Sequence, residues 1–152
     1  MLSEADSAGE AGVLPDAGDD AGAGADFRDT LASELAAPDD ARVPLETRAR
    51  AYLHSNCAGC HRPDTALRPK FDLTAASNPL ADPELCGVDP IAGDLGVTGA
   101  KRLVPGDPAH SLILLRMQRR DANAMPPLGS TVAEDAGVQL VSDWIASLGP
   151  CE

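Results

Sequence analysis

Apolar residues recur every three or four positions in PLETRARAYLHSNC, residues 44–57 of this 152-residue chain. That spacing brings them onto one face of an α-helix, and most of the other residues in the segment are good helix formers. The expected buried face consists of Leu45, Ala49, Tyr52 and Leu53. The pattern therefore predicts a helix that leads directly into the sequence CAGCH.

A second helix is predicted in PGDPAHSLILLRMQRR, residues 105–120. Asp107 is the expected N-cap, and Pro108 suits the first helical position because the amide hydrogen that proline lacks is not needed there. The sequence ANAMPPLG follows, and its two prolines predict a stiff loop because proline fixes φ and interrupts helices.

The last predicted helix has the clearest start. Thr131 and Glu134 have the spacing of a capping box, in which each side chain accepts a hydrogen bond from a free backbone amide of the first turn. An apolar stripe follows, closed by Gly149 and Pro150. The stripe consists of Leu140, Val141, Trp144, Ile145 and Leu148.

Prolines and glycines punctuate residues 62–105, which predicts irregular loop with at most a short helical turn. The sequence shows no internal repeat and no convincing strand pattern. We therefore predict an all-α, loop-rich domain over residues 44–152.

Composition changes this picture for residues 1–43, which are dominated by Ala, Gly, Asp, Glu and Ser. Such a segment buries too little apolar surface to offset its chain entropy, so we expect an acidic, disordered linker that spaces or tethers the domain. Of the net charge of −12, residues 1–46 carry −10 and residues 47–152 carry −2. A nucleic-acid binder is not expected, because phosphates are met by an excess of Lys and Arg.

The remaining cations form two small clusters that we expect to be solvated surface, with cofactor carboxylates or a docking partner as alternatives. They are Lys101–Arg102 and the group Arg116, Arg119 and Arg120. The sequence contains no run of about 18 apolar residues, so it predicts no membrane span. The first 30 residues also lack the basic start and apolar run of a secretion signal.

The sequence CAGCH places Cys57 and Cys60 three positions apart, with His61 directly after them. Each thiol can add across one haem vinyl group, and the two-residue spacer matches the separation of the vinyls. The imidazole of the next residue then lies beneath the iron. These residues therefore indicate one covalently attached haem c.

Two other chemistries compete for the same residues. A structural zinc site usually draws on two ligand pairs, whereas Cys86 and Cys151 are each isolated in the sequence. A thioredoxin-like dithiol is expected after a strand in a βαβ unit, whereas a helix precedes this motif. Both alternatives fit the sequence less well than haem does.

A sixth ligand for iron is expected at Met125, because the prolines after it stiffen the loop that presents its thioether. Met117 lies beside Leu114 and Leu115, where a core role is expected. His54 and His110 are the alternative ligands.

The order of elements resembles that of class I c-type cytochromes, in particular the cytochrome c domains of larger bacterial multidomain proteins. The resemblance covers about residues 45–150 and is carried by CAGCH, VPGDPAHSLILLRM, MPPLG and WIASLG. It implies a cytochrome c-like fold of three to four helices with long loops around one haem, with His61 and Met125 as axial ligands. It also implies that the first and last helices cross with Tyr52 near Trp144.

The long loop after the haem motif departs from the family pattern and carries Cys86. Haem c is attached outside the cytoplasm, where thiols also oxidise, so we expect a periplasmic or other extracytoplasmic location. A leader would then have been removed or would lie upstream of Met1. Under those conditions a structural disulfide between Cys86 and Cys151 is expected to stabilise the fold by a few kcal/mol.

These expectations combine in a monohaem c-type cytochrome that relays single electrons between redox proteins and is not itself an enzyme. One alternative is a haem c domain or subunit of a larger oxidoreductase, such as a dehydrogenase or peroxidase. A peroxidase needs a distal acid–base group, for which His110 is the available candidate. Another alternative is a gas or redox sensor in which a ligand displaces Met125.

Overall fold

A computed structural model describes residues 35–129 and 131–152 of the protein. Three α-helices are present in this part of the chain, together with one 3-10 turn at Pro108–His110. We name the helices α1 (Leu45–Cys57), α2 (Leu112–Met117) and α3 (Asp135–Ser147). Within the described ranges no strand forms, and only two isolated parallel bridges join Cys86 to Leu103 and Lys101 to Ser111.

Helices α1 and α3 pack against each other and form one side of the hydrophobic core. The ring of Tyr52 approaches Gly137 so closely that a Cβ atom there would collide with the ring. The implied packing of the first helix on the last is therefore present, with a glycine of α3 facing Tyr52. Trp144 belongs to the buried core cluster, and the partly buried Tyr52 packs against that cluster.

The apolar faces predicted for α1 and α3 are confirmed. Ala49 and Leu53 of α1 are buried, and Tyr52 and Leu45 pack against the core from its edge. In α3 the buried residues include Leu140, Val141, Trp144 and Ile145, and Leu148 packs beside them.

The capping box predicted for α3 is wrong. Glu134 rather than Thr131 occupies the N-cap position, and its side chain makes no capping hydrogen bond. The Glu134 carboxylate instead interacts with the phenol of Tyr52 on α1 and raises the pKa of that phenol. The carboxylate is thus engaged by the other helix and not by the backbone of its own first turn.

The predicted second helix is shorter than expected and starts in two steps. Asp107 accepts a hydrogen bond from the amide of His110, as an N-cap should, but it caps only the 3-10 turn. Ser111 then adopts an extended backbone before α2 begins. Its buried hydroxyl accepts a hydrogen bond from the amide of Val104 at 2.9 Å. This contact with the loop backbone interrupts what would otherwise be one continuous helix.

The segment between α1 and the 3-10 turn, residues 58–107, contains no helix, as the prolines and glycines predicted. A disulfide between Cys86 and Cys151, with Cα atoms 5.8 Å apart, joins this loop to the end of the chain. The predicted disulfide is therefore confirmed.

The predicted fold class was wrong. We expected an all-α, cytochrome c-like fold of three to four helices around a haem. The described chain has three α-helices of 13, 6 and 13 residues, so most of the described residues lie in turns and loops. The long loop is held by a disulfide and by side-chain contacts, not by further helices.

The acidic linker predicted for residues 1–43 lies largely outside the described residues, so it stays a prediction. Its described end is ordered against α1, because Arg48 donates hydrogen bonds to the carbonyls of Pro38, at 2.7 Å, and Val43, at 3.1 Å. Contacts with the helical core therefore begin before Pro44.

Candidate functional site

An apolar cavity lies between the end of α1, the loop around Phe71 and helix α2. Its empty volume is about 750 Å³, including space that is open to solvent. Sites for small molecules and cofactors are lined mainly by apolar groups. In its lining the cavity therefore suits an organic cofactor.

Three of the four predicted site residues line this cavity: Cys57, His61 and Met125. Cys57 is the last residue of α1, and the amides of Cys60 and His61 both donate to its carbonyl, at 3.0 and 2.8 Å. The resulting tight turn brings the imidazole back toward the helix end. Cys60 is exposed and lies outside the cavity lining, and both cysteines are free thiols.

Burial controls the protonation of the two cavity-facing groups. Burial, with a smaller contribution from Cys60, raises the pKa of Cys57 to about 12 and so favours the neutral thiol. Burial also lowers the pKa of His61, which favours the neutral imidazole with one free nitrogen lone pair. A neutral imidazole is the form that binds a metal.

The imidazole of His61 is held by packing. Its ring stacks on that of Phe71, with centroids 4.3 Å apart and the planes inclined by 6°. Its Nδ1 atom is buried and has no hydrogen-bond partner among the described residues. A buried nitrogen without a partner is costly, and such atoms mark places where a ligand or water is expected.

Met125 reaches the cavity from the loop that follows α2. Its amide donates to the carbonyl of Arg116 at 3.0 Å, and an Arg116 Nη1 donates to Asn123 at 3.2 Å. Both contacts fix the loop to the end of the helix. Met125 also borders a second, more polar cavity of about 880 Å³, open to solvent, which Tyr52 and Arg120 help to line.

The alternative ligands lie elsewhere. His54 accepts a hydrogen bond at Nδ1 from the amide of Ala75, at 3.1 Å, and His110 pairs through Nδ1 with Asp107, at 2.7 Å. Neither histidine lines either cavity. Met117 is buried in the core, as expected, although one side of it borders both cavities.

The donors around the cavity fit covalently attached haem. A thiol, an imidazole with an unpartnered nitrogen and a thioether line one apolar space, and a second thiol, that of Cys60, is exposed three residues after Cys57. Thiols, imidazole and thioether are the groups that hold haem c and its iron. Residues 35–129 and 131–152 contain no group of three His, Cys, Asp or Glu side chains arranged to hold a metal ion.

One cavity residue was missed by the sequence analysis, and the favoured placement of another was wrong. Phe71 has no neighbouring pattern that marks it as the stacking partner of His61. Arg102 was expected on a solvated surface beside Lys101, with contact to cofactor carboxylates as an alternative, and it is only 7% exposed and lines the cavity. A Lys–Arg pair in an irregular loop gives no periodicity from which the burial of one member could be inferred.

Comparisons with protein-family models, with curated proteins and with solved structures found no match to this chain. The resemblance to class I c-type cytochromes therefore rests on the motifs alone. Among the described helices, none has the length and apolar character needed to cross a lipid bilayer.

Proposed function

We propose that this protein carries one covalently attached haem c and relays single electrons between extracytoplasmic redox proteins. The observation that supports the proposal most directly is the shared cavity of Cys57, His61 and Met125. These residues span positions 57 to 125 of the chain, and only the folded structure brings them together.

In this proposal Cys57 and Cys60 anchor the haem as thioethers, and His61 and Met125 hold the iron. Haem held by a nitrogen and a thioether sulfur exchanges one electron and offers no open position to a substrate. The stacked Phe71 holds the imidazole in place, and the walls of the cavity are mainly apolar. A thioether ligand favours the reduced, less charged state.

The location and partners belong to the same proposal. The disulfide between Cys86 and Cys151 is typical of oxidising compartments, where haem c is also attached. We infer an extracytoplasmic electron donor and acceptor as partners, with the acidic segment of residues 1–43 as a tether. A role as the haem c domain of a larger oxidoreductase would use the same site.

The enzyme alternative has less support. A peroxidase-type reaction needs an acid–base group beside the haem. His110, the candidate from the sequence, pairs with Asp107 and lies outside the cavity lining.

The proposal is tested by exporting the chain in a host with haem c maturation and extracting the product with acid acetone. We expect the haem to stay with the polypeptide. The native oxidised protein should also show the weak far-red absorption band of a bond between ferric iron and a methionine sulfur.

Matched variants make the test specific. Met125→Ala should abolish the far-red band while the haem stays attached, and Met117→Leu should leave the band unchanged. Haem retained without the band in the wild-type protein would move the sixth ligand away from Met125. A product without haem, despite export and maturation, would overturn the proposal.

A further inference from the structure

Arg102 is a buried cation in the wall of a mainly apolar cavity. The residue is 7% exposed, and its Nε atom is buried without a hydrogen-bond partner among the described residues. A guanidinium does not lose its charge in a protein, so burial of this group is costly unless an anion meets it.

The carboxylate of Glu84 is the anion beside Arg102 in this structure, and it satisfies only part of the guanidinium. Its Nη1 donates to the carboxylate of Glu84 at 2.8 Å and also to the backbone carbonyl of that residue. Both bonds start from the same nitrogen, and the Glu84 side chain is 48% exposed. Water therefore screens much of the Glu84 charge, and the Nε donor is left for another group.

The other two arginines of the cavity are arranged differently. The terminal nitrogens of Arg116 donate hydrogen bonds to loop carbonyls, those of Asn123 at 3.2 Å and Ala92 at 3.0 Å. Arg68 is exposed at the mouth of the cavity. Arg102 alone among these three combines nine-tenths burial with a donor that has no partner.

The backbone holds Arg102 in place from both sides. Its amide donates to the carbonyl of Val88 at 2.9 Å, and its carbonyl accepts from the amide of Ile113 in α2 at 3.1 Å. The adjacent bridge pairs Leu103 with Cys86, which the disulfide fixes to the end of the chain. A rigid backbone of this kind lowers the entropic cost of presenting a charged group to a ligand.

We propose that Arg102 binds a carboxylate of the ligand that fills the apolar cavity. The inference rests on the proposed function, under which this carboxylate is one haem propionate. The cavity has mainly apolar walls and one buried cation with an unpaired donor. An apolar macrocycle that carries carboxylates at its edge matches both properties. Charge-assisted pairing with a carboxylate would complete the hydrogen bonding of the guanidinium.

The test compares two probes that differ only in their carboxylates, iron protoporphyrin IX and its dimethyl ester. The full chain is exported without haem maturation, so that the disulfide forms and the cavity stays unloaded. Affinity is measured by quenching of Trp144, the only tryptophan of the chain. We expect the wild-type protein to bind the diacid about tenfold more tightly than the ester, the difference that one charged hydrogen bond supplies.

Arg102→Gln should remove that preference by weakening the diacid alone, whereas Arg102→Lys should retain part of it. Arg120→Gln is the matched control, because Arg120 also has an unpartnered Nε but lines only the second cavity. Glu84→Gln covers the case in which Arg102→Gln does not fold. This exposed change removes the competing charge and should tighten binding of the diacid without affecting the ester.

Equal affinity of the wild-type protein for both probes would overturn the role of Arg102 and leave the haem proposal standing. An equal loss of preference in Arg120→Gln would also overturn it, because the effect would then reflect net charge. Binding of neither probe would overturn the role of Arg102, whereas the haem proposal is overturned only if the exported and matured product carries no haem.

Discussion

The helical side of the molecule, α1 and α3, and the loop side, residues 58–107, are stabilised by different interactions. On the helical side the backbone is satisfied within each helix, and apolar side chains such as Trp144 and Val141 fill the core. On the loop side the backbone forms no helix, and a disulfide and polar side chains help to hold the chain in place.

Arginines supply many of these loop contacts. Arg50 of α1 donates to the carbonyls of Ala75 and Ser77. Arg102 donates to Glu84 within the loop itself. Unpaired backbone groups are costly when buried, so the polar side chains replace the bonds that helices or strands would provide. A small apolar core can therefore support a long loop if covalent and polar contacts reach across it.

The largest expected effect is on the helical side. Trp144→Ala should lower the free energy of unfolding by about 3–5 kcal/mol, because a large buried ring leaves a cavity. Urea unfolding measures the change. Asp143→Ala, an exposed neighbour on the same helix, is the control and should change stability by less than about 0.5 kcal/mol. A small loss in Trp144→Ala would mean that the loop side carries most of the stability.

The next effect is on the loop side. Replacing both Cys86 and Cys151 by serine should lower the free energy of unfolding by about 4 kcal/mol, as the chain-entropy model gives for a long closed loop. Non-reducing urea unfolding measures this loss. The control is Asp143→Ala, an exposed change outside the loop. An unchanged stability in the double serine variant would show that side-chain contacts alone hold the loop.

A smaller effect is expected where the two sides meet. Ser111→Ala should cost about 1–3 kcal/mol, because the buried hydroxyl accepts from the Val104 amide at 2.9 Å and its loss leaves that amide unpaired. Thermal unfolding measures the change. Ser147→Ala, which removes a hydroxyl at the exposed end of α3, serves as the control. Similar losses in both variants would contradict the special role of Ser111.

The smallest effect concerns Tyr52, the only tyrosine of the chain. Burial and the Glu134 carboxylate raise its pKa to about 12 from an ordinary value of 10.0. The neutral phenol is thus favoured by folding, and its contribution to stability is complete below pH 10 and is lost as the pH rises toward 12. Phenolate absorbance measures the titration. Glu134→Gln should lower the pKa of Tyr52, and an unchanged value would assign the whole shift to burial.

The sequence predicted the helical side well because its signals are local. Helical spacing marked the buried face of α1, and the stripe from Leu140 to Leu148 marked that of α3. The disulfide pairing was also anticipated, since only Cys86 and Cys151 were left outside the CAGCH motif. The capping box failed because Glu134 lies at the N-cap position itself, where its carboxylate interacts with Tyr52, a residue that lies far away in the sequence.

Local motifs predicted the residues of the candidate site, whereas no local motif predicted how these residues are arranged in space. The sequence by itself determined the helices, the disulfide partners and the chemical groups available to a cofactor, because periodicity and residue type are properties of short segments. Only the tertiary structure decided that Met125 meets Cys57 and His61 in one cavity and that Arg102 is buried beside them. Those placements depend on how a loop without periodicity closes over the core, and that closure is decided by contacts between residues distant in the sequence.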